Sequence, residues 1–274
     1  MEGIELCARF GLAPNLRGYC GDPKFQSPFS KYLENPSKEN SARLRNELGK
    51  FGTQKAYLET IAQANGVDDI YDYKVAEAFW IGNRLLDSVK AEDVFDLFER
   101  KWVARKFITK ERAKEIVSSL PKKIPPLQHT FHPYVAGFVS QKAQKSAKNK
   151  DLCRPSWAKV VGLDLGKEKI VVKRQPVVYS AGRFVFGKEK VERMPFKVGK
   201  IPLVESDAKL VACHWGVAVK KITKSEEQRM KKYAGRIISL ANKSEEASPE
   251  YLKKLGAIRK KKFVRVLDFP KKYL

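Results

Sequence analysis

Residues able to carry out chemistry are scarce in this sequence. It has three histidines and four cysteines among 274 residues. The cysteines, at positions 7, 20, 153 and 213, form no CxxC pair and no finger-like spacing, which excludes the common zinc modules. A Gly-rich phosphate loop, a nucleophile elbow and an HExxH helix are all missing. Nothing pairs a nucleophile with a general base, so the expected protein is non-catalytic and needs no cofactor. Long apolar runs are lacking as well. Runs such as Ile170-Val171-Val172 are only a few residues long, far short of the roughly 20 residues that span a bilayer. The start, Met1-Glu2-Gly3-Ile4-Glu5, has neither a basic n-region nor an apolar h-region, so no signal peptide is read. A cytoplasmic protein with free thiols is the expectation.

Acid is the other shortage, and it is uneven. Residues 1–100 hold 13 Lys/Arg against 16 Asp/Glu, a net of −3, while residues 101–274 hold 42 against 15, a net of +27. A thermophile-like surface gains Lys and Glu together, and here Glu has not kept pace. So basic a surface repels itself unless a polyanion neutralises it, and each phosphate met by Lys or Arg releases condensed counterions. RNA, or a ribosomal subunit rich in it, is the expected partner.

The chain divides by texture. Residues 1–28 are rich in Gly, Pro and aromatics and read as consecutive turns that need something to pack against. From about 38 to 118 the apolar period is helical: Ala56, Leu58, Ile61 and Ala62 make one stripe, and Val75, Ala78, Phe79, Ile81 and Leu85 another. Asp93 to Trp102 forms a third, and Thr109 is placed to cap a fourth. Pro121, Pro125 and Pro126 close the region. Gln141 to Lys150 has four lysines, no acid and no large apolar residue, as a solvated arm would. The period then falls to two: Ala158–Leu163, Ile170–Lys173, Val177–Tyr179, Arg183–Phe186, Leu210–Trp215 and Val217–Val219 read as short strands. So many short strands suggest a small closed barrel. A helix from Ser225 to about Asn242 follows, then a short helix from Ser248 to Leu255 and a basic strand from Arg259 to Phe269.

The expected fold is therefore α+β. It comprises a mainly helical domain at 1–137, a basic linker at 138–150, a small OB-like barrel with its helix at 151–243, and a basic extension at 244–274. The phosphate-gripping residues expected are Lys142, Lys145, Lys148 and Lys150 on the arm, and Lys220, Lys221, Lys231 and Lys232 around the barrel. Arg259, Lys260, Lys261, Lys262, Arg265, Lys271 and Lys272 extend the set along the tail, where nine Lys/Arg face four acids. The nearly neutral helical half, with Trp80 and Trp102 read as exposed, suits a protein face and self-association. A homodimer of that kind could tether or block ribosomal particles. His129 and His132 are spaced HxxH, but Phe131, Pro133, Tyr134 and Val135 argue for a strand or turn over a helix. They read as buried histidines in an aromatic interface between the domains.

Cys153-Arg154-Pro155-Ser156-Trp157-Ala158-Lys159-Val160-Val161 resembles the opening of the HypC/HybG/HupF hydrogenase formation chaperones. Val211 to Val219, with Cys213-His214-Trp215-Gly216 at its centre, is similar to their His-x-Gly strand. The likeness covers roughly 151–240 and implies an OB-like, HypC-like barrel. It also implies that Cys153 and His214 hold an iron–cyanide–carbonyl fragment destined for a hydrogenase precursor. Two departures stand out. Cys153 is internal where the chaperone cysteine is N-terminal, and Cys213 has no counterpart, pointing to the other face of its strand. Residues 1–243 also resemble an uncharacterised prokaryotic family often encoded near nickel–iron hydrogenase genes. The matching pieces are Arg9-Phe10, Pro14-Asn15, Gly18-Tyr19-Cys20-Gly21, Trp80-Ile81-Gly82-Asn83, His129-Thr130-Phe131-His132 and Cys213-His214-Trp215.

Overall fold

A computed structural model describes residues 1–20, 26–50, 52–120, 126–137 and 146–243. The expected arm residues 141–145 and the whole 244–274 extension lie outside them, as do the short helix and basic strand expected there. Mixed helix and sheet is found, in agreement with the α+β class.

Residues 1–28 depart from the expectation of turns. Gly3–Leu16 is a helix, α1, despite Gly11 and Pro14. Eleven of its fourteen residues are buried, and a helix apolar on all sides belongs inside a protein. Gly3 is required there, since a Cβ would run into the backbone carbonyls of Tyr71 and Asp72. Helices α2 (Gln26–Glu34), α3 (Lys38–Lys50), α4 (Gly52–Ala64) and α5 (Tyr73–Trp80) wrap α1. Asp72 caps α5 by accepting from the Lys74 N–H. A short 3-10 turn, Arg84–Asp87, leads to α6 (Ala91–Asp96), which runs on as a π-helical turn over Leu97–Trp102. Thr109 caps α7 (Lys110–Ser119), as the sequence implied. Trp80 and Trp102 are buried at 2% and 0% exposure, so they form no protein-binding face. They are core.

The described part of the arm is no solvated linker. Ser146 caps a helix, α8, over Ala147–Cys153. Its Asp151 is buried and accepts from Arg154 (2.9 Å), Arg174 (2.7 Å) and the Val177 N–H (2.9 Å). That carboxyl is held below its usual range: the two guanidiniums and the Val177 N–H outweigh burial, which is the largest single influence and pushes the other way.

The strands are β1 (Ser156–Asp164), β2 (Lys169–Arg174), β3 (Val177–Ser180), β4 (Arg183–Phe186), β5 (Lys190–Pro195), β6 (Lys197–Val198), β7 (Ile201–Pro202), β8 (Leu210–His214) and β9 (Val217–Lys221). They do not close into a barrel. Five make an open antiparallel sheet in the order β5-β2-β1-β8-β9, with a bulge in β1 at Val161. The hairpins β3-β4 and β6-β7 pair only with themselves, and among the described residues β5 and β9 come near each other without a ladder of hydrogen bonds between them. The strand β5 escapes a period-two reading because only Met194 in it is buried.

Helix α9 (Lys224–Ala241) opens with a capping box between Thr223 and Glu226. It ties the two halves together: Arg229 reaches Glu77 (2.7 Å) and the Gly82 carbonyl (2.9 Å), and the Tyr233 hydroxyl donates to the Asn83 carbonyl (2.8 Å). Gly82 has φ +97° with the Tyr233 ring pressed against it, a position that only glycine fits. One buried apolar cluster runs without a break from Ile4 to Ala241. Among the described residues, no helix is long and apolar enough to cross a membrane.

Candidate metal centre

Three side chains from three separate elements converge where α1, α5 and the sheet meet. Their ligand atoms, one each on His129, Cys153 and His214, lie within 4.8 Å of one another, and all three residues are buried.

His214 ends β8, beside the two-residue turn Trp215-Gly216, which leads into β9 with φ values of +51° and +74°. A left-handed Trp costs about 1 kcal/mol, and contacts hold it there: Tyr19 stacks on its ring at 4.5 Å, and its N–H donates to the Leu152 carbonyl (2.7 Å). That bond fixes the end of α8, and with it Cys153, beside His214. The His214 ring is oriented by Phe10, whose carbonyl accepts from Nδ1 at 2.7 Å. The Phe10 carbonyl is free to do so because the residue four positions on is Pro14, which has no N–H. Nδ1 is therefore the protonated nitrogen, and the lone pair is on Nε2, which meets no hydrogen-bond partner among the described residues.

His129 lies in the turn before the short π-helical stretch His132–Ala136. Its N–H donates to the Phe79 carbonyl (2.7 Å), and Gln128 donates to the Trp80 carbonyl (3.0 Å), so the end of α5 sets its position. Its Nε2 is 3.6 Å from the Cys153 sulfur. The Trp80 ring packs against His129 (4.5 Å), His214 (5.3 Å) and Phe10 (4.7 Å). His132 stacks on His129 at 5.6 Å but stands outside the three-ligand group.

Burial sets the protonation states. It lowers His214 to about 4, against the backbone of Phe10 and of Cys153, which both favour the charged form. It also lowers His132 to about 4 and, with the neighbouring imidazoles, takes His129 well below its usual value. The same desolvation raises the Cys153 thiol well above its usual range. At neutral pH the cluster is two neutral imidazoles and one thiol. Imidazole and thiolate suit zinc, iron and copper. Ligand bonds of about 2.0–2.3 Å place tetrahedral ligand atoms about 3.3–3.5 Å apart, so the widest spacing, within 4.8 Å now, would close by up to about 1.5 Å. The donor set therefore fits a transition metal, and three protein ligands leave a position open.

Cys153 and His214, the pair implied by the resemblance, do come together. Cys213 faces the other way: burial raises its thiol to about 12, and the charges it senses are Arg174, Glu192, Arg154 and Asp151. The sequence reads His129 as structural, and no spacing in it joins this residue to Cys153. A faint signal existed in the short pieces quoted above. Phe10, Pro14, Tyr19, Trp80, His129 and His214 all line or brace this one place.

The phosphate-gripping lysines fare unevenly. Lys150 is buried over the rings of Tyr134 (5.7 Å) and Phe184 (5.0 Å). Lys220 is buried and donates to Glu226 (2.6 Å). Neither is available to a phosphate, because each already serves the core. Lys221 pairs with Glu205 and Lys231 with Glu227. Lys148 and Lys232 are exposed. Lys142, Lys145 and the tail set from Arg259 to Lys272 lie outside the described residues.

Fold and centre together define an α+β protein with a buried His/Cys/His cluster between a helical layer and an open sheet. The chain belongs to DUF6390, a family of unknown function whose model matches residues 1–248. Neither curated proteins nor solved structures give a match.

Proposed function

We propose that this protein is a non-catalytic metal carrier that holds a transition-metal centre between His129, Cys153 and His214 and passes it on. The observation carrying this reading is the convergence of three buried ligand atoms within 4.8 Å from three distant parts of the chain. Polar groups cost free energy to bury unpaired, yet Nδ1 of His129 and Nε2 of His214 both lack partners among the described residues. The likeness to the hydrogenase formation chaperones supports an iron–cyanide–carbonyl fragment as the cargo and a hydrogenase precursor as its destination. The protein's part is to present two oriented imidazoles and a thiolate, exclude water with Trp80 and Phe10, and leave one coordination position open. The full chain, purified anaerobically from a hydrogenase-producing host, should show cyanide and carbonyl infrared bands that vanish in Cys153→Ser and His129→Ala. Metal-free protein with no such bands from that host, which also fails to take up Co(II), would overturn the reading.

A second reading, RNA binding, is favoured by one feature of the open sheet. Lys159 and Lys173 stand directly opposite each other on β1 and β2, both exposed and neither with an acidic partner among the described residues. Like charges so placed destabilise a sheet, and a phosphate between them removes the penalty. Val191 and Val161 beside them are 61% and 47% exposed, while Trp157, the one aromatic of β1, β2 and β5, is buried. This fits contact with a structured RNA backbone, a ribosomal particle included, more than base stacking.

A further inference from the structure

We infer that Trp215 is a positioning residue whose left-handed backbone keeps Cys153 and His214 in range of one metal, with Tyr19 and Arg17 as the clasp that holds it. The inference rests on the carrier reading above and names the part of the chain that sets the ligand spacing.

β8 turns into β9 through two residues only, and His214 pairs with Val217 across the hairpin. The favoured loop of that length takes positive φ at both positions, which is why Asn-Gly or Asp-Gly usually fills it. Gly216 meets the demand without cost at φ +74°, but the first position is a tryptophan at φ +51°. Hairpin chemistry has no use for an indole there. A bulky residue at positive φ persists only where its surroundings over-determine it, and such strain gathers at functional sites.

The contacts around Trp215 show what the strain maintains. Trp215 directly follows His214, and its N–H donates to the carbonyl of Leu152 (2.7 Å), the residue before Cys153. One residue therefore ties together the chain segments of two ligands. The clasp comes from beyond α1: the Tyr19 ring stacks on the indole at 4.5 Å, nearly parallel at 17°, and the Arg17 guanidinium donates to the Trp215 carbonyl. Were the turn to relax to negative φ, its N–H would swing away from Leu152. The end of α8 would then lose its tie to β8, and the Cys153 sulfur would part from the His214 ring. His129 is held separately, through the Phe79 carbonyl, so relaxation divides the ligand set rather than moving it whole.

The test uses the full chain, reduced and anaerobic, with Co(II) as probe and the thiolate-to-cobalt absorption as readout. Trp215→Ala and Trp215→Gly remove the same ring, but only alanine is penalised at this φ. The alanine variant should therefore bind Co(II) about tenfold more weakly than the glycine variant, with a weaker thiolate band. Gly216→Ala, which keeps the indole, should also weaken binding about tenfold against wild type and serves if the Trp215 variants fold poorly. Tyr19→Ala should speed Co(II) loss to a chelator about fivefold in the wild-type chain and change nothing in Trp215→Gly, whose turn needs no clasp. Thermal melts of the metal-free variants separate a merely structural turn: there the alanine penalty would appear in the melt while Co(II) affinity stayed equal. Equal affinities of the alanine and glycine variants, or of Gly216→Ala and wild type, would overturn the inference. An equal effect of Tyr19→Ala in both backgrounds would overturn the clasp. Failure of the carrier reading looks different, because the wild-type chain itself would then take up no Co(II), and both proposals would fall together.

Discussion

Pro14 governs His214 from two hundred residues away. By lacking an N–H it leaves the Phe10 carbonyl unclaimed inside α1, and that carbonyl accepts from His214 Nδ1 at 2.7 Å. A proline that would ordinarily weaken a helix here fixes the tautomer of an imidazole. Pro14→Ala restores the competing donor. Helix stability should hold or rise, while Co(II) affinity should fall by about tenfold, the usual effect of disturbing a partner behind a metal ligand. Titration of both proteins alongside thermal melts would check it, and equal affinities would separate Pro14 from the centre.

Much of this fold was legible in the sequence, and the parts that were not have physical reasons. The stripes of α4 and α5, the Thr109 cap and helix α9 follow from local periodicity and capping. Helix α1 was hidden because an all-round buried helix has no polar face, and its Gly and Pro imitate turns. The open sheet was hidden because β5 keeps only Met194 inside, and because the hairpin β3-β4, expected as part of a closed barrel, pairs only with itself. Cys153 and His214 were legible through resemblance alone. Their meeting with His129 depends on α5, α8 and the turn at Trp215 stacking in three dimensions, which no spacing reveals.

Metal uptake should depend on pH with a definite sign. Cys153 is a thiol with its pKa raised by burial, and all three histidines are already neutral at pH 7. Binding therefore displaces one proton, and apparent Co(II) affinity should climb about tenfold per pH unit from near neutrality upward. In Cys153→Ser the slope should flatten along with the loss of affinity. A potentiometric count of released protons gives the same answer independently; a count of zero would mean that the thiolate pre-exists.

Acid should unfold the metal-free protein early. His132 and His214 titrate near 4 when folded and near 6.5 when unfolded, so the unfolded chain binds more protons between those values. The stability contributed by keeping them neutral is complete above 6.5 and is lost as pH falls toward 4, at about 3 kcal/mol for each ring. Denaturant midpoints should drop steeply across that window. In His132→Phe the drop should be shallower, and an unchanged profile would mean that His132 is charged in the fold.

Asp151 anchors the helix that presents Cys153. Removing it strands the Arg154 guanidinium, at 0% exposure, leaves Arg174 with Glu192 as its acidic partner, and breaks the bond to the Val177 N–H. Asp151→Ala should cost about 3–5 kcal/mol, the penalty for leaving a buried charge unpaired. Urea unfolding of wild type and variant provides the measurement. A loss under about 1 kcal/mol would show that the arginines find other partners or reach water.

Lys159 and Lys173 test the polyanion reading without touching the metal centre. They face each other across β1 and β2 with no acidic partner among the described residues, so on that reading each would meet a phosphate. Replacing both with Ala should lower the affinity of the full chain for structured RNA. It should also reduce the slope of log affinity against log salt by about 1 per lysine. Stability should rise slightly, because a like-charged cross-strand pair is gone. Any loss of binding could then not be blamed on unfolding. An acidic protein partner would give a different pattern, since lysines are depleted from the centres of protein interfaces and the exposed valines would dominate. In that case Val161→Ser with Val191→Ser would abolish binding while the lysine pair mattered little. Unaltered RNA affinity and slope in the double lysine variant would remove this sheet face from any nucleic-acid site, leaving the basic charge elsewhere in the chain to account for it.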